Sequence, residues 1–228
     1  MSIIINPFIF ESAGGGGGVA FVSARGDGLG TSGGTSGSLN TSGSNFIVIH
    51  ASWYPIGVDN PTLSDSQGNT WTPLTSHTTP GSPGILRSRL WYCYSPITNA
   101  AHTFTLSGAG GFYASIQIAA FSGVSASPFD LENGNNSDSG STTLSTGSIT
   151  PSQANSLVIT GFSFALDGGT ISIDSGYTIV ATIPFNNGNY DGGSLAYKIL
   201  TSSSAQNPTW TATSSPTYKA ASIASFKY

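Results

Sequence analysis

The sequence predicts an all-β protein, an antiparallel jelly-roll-like β-sandwich of about 10–12 strands built from an internal duplication. Three observations carry this reading. Short segments rich in Val, Ile, Thr and aromatic residues recur along the 228 residues, separated by clusters of Gly, Pro, Asn and Ser. Helix formers are scarce, with charged residues at only 7% of the chain against about 25% in an ordinary soluble protein, and no window supports a long amphipathic helix. Finally, the second half of the chain repeats the first.

The elements follow in chain order. Residues 1–18 read as an apolar arm on a glycine hinge: Ile3, Ile4, Ile5, Phe8 and Phe10 precede five consecutive glycines, Gly14 to Gly18, a run with high chain entropy. The arm lacks a basic n-region and Pro7 interrupts it, which makes it a poor secretion signal. It reads as an edge strand of its own sandwich, as an arm that docks on a neighbouring subunit, or as an unrecognised export signal. Residues 19–228 form the sandwich. Arg25-Gly26-Asp27 spells a tripeptide that integrins recognise, but Gly-Asp-Gly is also ordinary turn chemistry, and the turn is the expectation.

Strands are predicted over 46–54, 69–75, 86–95, 102–107 and 112–122. In the first, Ile47, Ile49, Ala51 and Trp53 share one face, with Phe46, Val48, His50 and Ser52 on the other. Ser64 to Thr72 reads as a tight hairpin in which Asp65 accepts from nearby backbone N–H groups; calcium on Asp65 is the minor reading, since one carboxylate is visible where six to eight oxygens are needed. Arg87, Arg89 and Trp91 alternate onto one face. Together with Trp53 they are carbohydrate or interface candidates if exposed, and an inward Trp with snorkelling arginines if not. Cys93, the single cysteine, sits among Trp91, Tyr92 and Tyr94 and reads as a buried structural thiol.

The polar stretch 123–144 reads as a linker or a long crossover. Within it Asp130, Glu132 and Asp138 are weak candidates for a Ca²⁺ site, but their spacing misses the EF-hand pattern and a solvated loop is expected, with no cofactor. Strands follow over 156–164, 177–183, 194–201, 208–213 and 217–227, and Asn186 to Gly193 reads as a turn.

The duplication rests on specific matches. Ser36 to His50 lies over Thr146 to Thr160 at a constant offset of 110 residues; Asp65-Ser66 then matches Asp174-Ser175, Tyr92 matches Tyr197, and Tyr113 and Phe121 match Tyr218 and Phe226. The halves are about 35–122 and 145–227. Neither carries enough Leu, Ile, Val and Phe to close a core alone, so a single two-sheet sandwich is expected rather than two tandem domains.

Composition excludes several function classes. Six Lys and Arg and a net charge of −4 cannot make a nucleic-acid stripe. No stretch approaches the roughly 20 apolar residues of a membrane span. His50, His77 and His102 share no ligand spacing, Glu11 and Glu132 are the only glutamates, and neither a nucleophile elbow nor a phosphate loop occurs. No enzyme is expected. The 63 Ser and Thr residues imply strands solvated by hydroxyls, with edges that lack Lys gatekeepers and are best covered by neighbours in an assembly.

Several motifs occur in a fixed order: Ser64 to Thr70, Trp91-Tyr92, Ser122-Gly-Val124, Pro128-Phe-Asp130, Ser148-Ile-Thr150, Asn155-Ser-Leu-Val158 and Ile223 to Phe226. In that order the chain resembles a widespread β-sandwich domain of bacterial surface proteins and tailed-phage structural proteins. The resemblance covers nearly all of 35–228 and implies a jelly-roll-like scaffold for display or adhesion, with no catalytic residues. The weak secretion signal shifts the expectation toward a virion protein assembled in the host cytoplasm, a capsid decoration or a tail or fibre component. Its expected partners are other virion proteins or further copies of itself. The alternative is a carbohydrate-binding module or adhesin at a cell or virion surface, bound to a host glycan. A glycan hydrolase is the third and weakest expectation.

Overall fold

The structure, a computed structural model, describes residues 18–55, 60–80, 86–108, 112–166, 168–174 and 176–228. The arm residues Ile3, Ile4, Ile5, Phe8 and Phe10 lie outside the described residues, as does Glu11. Among the described residues the regular structure is all strand. The first half holds β1 (Ala20–Gly30), β2 (Gly34–Thr35), β3 (Phe46–Pro55), β4 (Thr62–Asp65), β5 (Thr72–Pro73), β6 (His77–Thr78), β7 (Arg87–Tyr94), β8 (Phe104–Ser107) and β9 (Phe112–Ser122). The second holds β10 (Phe129–Ser137), β11 (Thr143–Ser145), β12 (Leu157–Phe164), β13 (Ile171–Ile173), β14 (Thr178–Ile183), β15 (Gly192–Ile199), β16 (Thr209–Ala212) and β17 (Lys219–Phe226).

Each half builds one large and one small antiparallel sheet. In the first half the orders are β1-β9-β3-β7-β5, with β6 also on β7, and β2-β8-β4. In the second they are β10-β17-β12-β15-β14 and β11-β16-β13. Apart from β6, the orders correspond strand for strand. Two matched pairs, Ser36 with Thr146 and Leu39 with Ile149, make similar backbone bonds, though to partners that the sequence match does not pair. Leu39 and His102 exchange backbone hydrogen bonds, as Ile149 and Gln206 do; Ser36 N–H donates to Phe104 O, and Thr146 N–H to Pro208 O.

The alternation read in β3 separates two cores. Ile47, Ile49, Ala51 and Trp53 pack with Phe104 and Leu106 of β8 and with Leu63 of β4, so the small sheet roofs the large one. Phe46, Val48 and Phe121 face the other way and meet Leu157, Ile159, Leu195 and Phe226 of the second half. Phe162, Phe164 and Trp210 form the corresponding outer core of the second half. The expected all-β sandwich is thus present, with 17 strands among the described residues and a small sheet over the outer face of each large one. Each half has an outer core of its own, and the two share the core between their large sheets. Short strands such as β4 and β8 add few bulky residues, but placed over a six-strand sheet they enclose one of these cores. Each fully buried Phe contributes about 1.5–3 kcal/mol.

The large sheets stack face to face along a seam. β7 lies on β17 as β9 lies on β15, β12 crosses β3, and β1 meets β14 as β10 meets β6. Exchanging the halves leaves this pattern nearly unchanged, as in an isologous dimer interface, with β6 rather than β5 standing in the place of β14.

Two edge strands escaped the sequence reading. β1 carries Arg25-Gly26-Asp27 in extended pairing with β9, not in a turn, and the Arg25 guanidinium is paired to Asp27 at 2.5 and 2.8 Å. β10 runs through the stretch expected to be a loop. Its Asn133 and Asn135 amides donate to Ser148 O and Ser145 O, which ties the edge down without bulky side chains. The expected hairpin at 64–72 is a turn between sheets: β4 pairs with β8, whereas β5 pairs with β7.

Candidate functional site

Where the halves meet, the seam buries polar groups in two places. The first is closed. His50 on β3 contacts Gln117 Oε1 through Nδ1 (2.6 Å) and Ser88 Oγ through Nε2 (2.9 Å), and Ser88 Oγ in turn contacts Ser222 Oγ of the second half (3.0 Å). Two glycines of the second half make room: a Cβ at Gly161 would fall on the His50 ring, and one at Gly193 on the Gln117 amide. Burial lowers the His50 pKa to about 4, against the opposing pull of the Gln117 bond, so the ring is neutral.

The second place is open. At the end of the seam lies a cleft of about 500 Å³, within the roughly 300–1,000 Å³ usual for ligand sites. The last residues of β3 supply Tyr54, the first of β9 supply Tyr113, and the residue before β17 supplies Tyr218. The Tyr54 and Tyr113 rings lie 6.2 Å apart at 57°. The connection from β14 to β15 adds Phe185, Tyr190 and Asp191.

That connection is a self-closed turn, as the Asn- and Gly-rich sequence implied. Asn186 and Tyr190 exchange backbone hydrogen bonds of 3.0 and 3.1 Å, Asn189 N–H donates to Asn186 O, and Gly188 takes φ of +80°. The Tyr190 ring sits against bare backbone of β1, where a Cβ on Gly28 would collide with it. Asp191 is 4% exposed, and its Oδ2 has no hydrogen-bond partner among the described residues. Burial raises its pKa to about 7. The described lining contains no Lys, Arg or His. A buried carboxyl group, phenol hydroxyls and half-buried ring faces equip the cleft to hold a molecule by stacking and hydrogen bonding.

The residues singled out by sequence lie elsewhere. Trp53 and Trp91 are buried in the first half's outer core, so as carbohydrate platforms they are corrected. Their face of the strand is roofed by the small sheet. Arg89 lies over the Trp91 ring at 5.4 Å, and both Arg87 and Arg89 are only partly exposed. Asp130 accepts from Ser152 N–H and from the Ser152 and Ser225 hydroxyls, and Glu132 accepts from Thr75 N–H and Oγ1. These acids, with Asp138, do not converge, and no group of three metal-binding side chains occurs among the described residues. Asp65 accepts from Gln67 N–H, Asn69 N–H and the Trp71 indole, and His102 Nε2 lies 3.3 Å away. Burial pushes Asp65 up, but these bonds outweigh it and hold the carboxyl below its ordinary range. Burial pushes the Cys93 thiol up to about 11.

Sequence reasoning missed Tyr54, Tyr113, Tyr190, Tyr218 and Asp191 as a group. One signal was present: Tyr113 and Tyr218 are matched across the repeat, each eight residues before a matched Phe. No family model, curated protein or solved structure matches the chain.

Proposed function

We propose that the protein is a non-enzymatic structural or display component of a phage particle, a capsid decoration or a tail or fibre part, that works through contacts with neighbouring subunits. The jelly-roll-like, duplicated scaffold belongs to this reading. It is supported in each half by nested pairing, first strand with last (β1 with β9, β10 with β17), then the next inward (β2 with β8, β11 with β16). The observation that carries the function is the root of the N-terminal arm. Val19 is packed in the seam core, while Phe21, two residues on, is 40% exposed and stacks on Tyr197 at 5.6 Å. An apolar arm joined to the body here leaves from an apolar surface, suited to burial between subunits. The body offers few charges to oppose close packing, and its two large sheets end in edge strands.

The test is the mass of the native protein in solution. Light scattering on the full chain is expected to give an oligomer, and removal of residues 1–17 is expected to give a folded monomer with an unchanged melting curve. A full chain that stays monomeric at tens of micromolar would overturn the reading.

A further inference from the structure

The display reading requires no small ligand, yet the tyrosine cleft is built to take one. We infer that the cleft binds a neutral pyranose of a glycan, with Asp191 as the polar anchor and the rings of Tyr54, Tyr113, Tyr190 and Tyr218 as its stacking faces. This site is distinct from Trp53 and Trp91, and it does not depend on where the protein is displayed.

Three observations converge. Asp191 Oδ2 is buried without a partner among the described residues, and an unpaired buried polar atom is unfavourable, more so if charged. A ligand hydroxyl reaching it removes that penalty. The four phenol rings are half-buried and come from both halves of the chain. They present flat apolar faces of the kind that the C–H face of a pyranose covers, with hydroxyls at their rims. The turn that leads into Asp191 is closed before any ligand arrives by the backbone bonds across 186–190, so little backbone ordering entropy is lost on binding.

The ligand's charge follows from the same residues. With no cation in the described lining, the carboxylate of an acidic sugar would be buried without a partner, which is unfavourable. An organic cation would favour the tyrosines, but it needs a carboxylate held ionised. Here burial favours the protonated acid, which both donates and accepts, as sugar hydroxyls do. The Asn187 amide, also on the rim, has the same dual character.

The test is saturation-transfer NMR on the full chain with three probes, the methyl pyranosides of galactose, glucose and mannose, and with N-acetylneuraminic acid and choline as charged controls. Saturation is expected on the ring protons of at least one methyl pyranoside and on neither control. Asp191→Asn and Tyr218→Ala are each expected to weaken that binding at least tenfold with melting curves retained. Should a variant not fold, ring-labelled tyrosines in the unaltered protein give the second readout, with shifts expected at a subset of the nine tyrosines. Absence of saturation and of shifts with all three pyranosides overturns the inference, as does stronger binding of choline or unchanged affinity in both folded variants. None of these outcomes alters the mass measurement that tests the display reading.

Discussion

The two polar regions of the seam are made from the same stacked strands and differ in completeness. Around His50 both ring nitrogens have partners, the neighbouring backbone is bare glycine, and the seam is sealed. Around Asp191 one carboxyl oxygen has none, and the wall opens to solvent between tyrosines. Burial disfavours the charged form at both sites. A satisfied network holds the halves together and specifies their register, whereas an unsatisfied one marks the place where the protein leaves bonding capacity for something else.

The largest effect that separates the two regions is on stability against pH. Asp191 ionises near its ordinary 3.8 when unfolded and near 7 when folded. Between those values the native state holds more protons, so stability falls as pH rises, by about 4 kcal/mol in all. His50 protonates below 6.5 when unfolded and only below about 4 when folded. Its contribution is lost as pH falls through that window, by about 3 kcal/mol. The two slopes oppose each other, and the parent protein is expected to have a flat urea midpoint between pH 4 and 6.5. Asp191→Asn is expected to leave a midpoint that climbs with pH, and His50→Gln one that declines. Parallel profiles in the two variants would show that the regions do not differ as argued.

A smaller effect separates the glycines. Gly161→Ala places a Cβ 2.1 Å from the His50 ring, which is held on both sides and cannot yield; a loss of about 3 kcal/mol is expected in urea unfolding. Gly28→Ala meets Tyr190 at 2.5 Å, but that ring stands at an open cleft and can swing, so a loss of about 1 kcal/mol is expected. Equal losses would mean that the cleft is as tightly packed as the sealed region.

How much of this was legible follows from what each element needs. β3, β7, β9, β12, β15 and β17 are central strands with apolar side chains on one or both faces, so period and propensity expose them. β1 and β10 are edge strands, each bonded to one neighbour and rich in Gly, Ser or Asn. Their extended form is imposed by β9 and β17, and nothing local announces it. Of the roofing sheets, β8 and β16 were legible as the strands over 102–107 and 208–213, whereas β2, β11 and β13 were missed for a related reason, since strands of two or three residues carry no measurable period. In the cleft, Tyr54, Tyr113, Tyr190 and Tyr218 come from four separate segments that only the stacking of the halves unites. Asp191 reads in sequence as one more turn acid, because its burial is a property of the seam. Trp53 misled because a bulky aromatic on an alternating strand points either to solvent or to a core, and the roof over its face was not foreseen.

Ser88→Ala tests the closed network at a single bond. Its hydroxyl links His50 Nε2 to Ser222 across the seam, and its loss leaves a buried nitrogen that only Ser163 Oγ, at 3.3 Å, can partly serve. About 1–2 kcal/mol of stability should go, with no change in pyranoside affinity. Tyr218→Phe is the complement and the smallest perturbation. Tyr218 is half-buried at the cleft mouth, so removing its hydroxyl should alter stability by less than about 0.5 kcal/mol. The ring face remains for stacking while one rim hydrogen bond is lost, and pyranoside affinity should fall severalfold, well short of the loss in Tyr218→Ala. The pair of variants thus exchanges its readouts: one moves stability and not binding, the other binding and not stability. If Tyr218→Phe instead lowers the melting temperature by several degrees, its hydroxyl is part of the seam, and the boundary between the sealed and open regions lies further out than Tyr218.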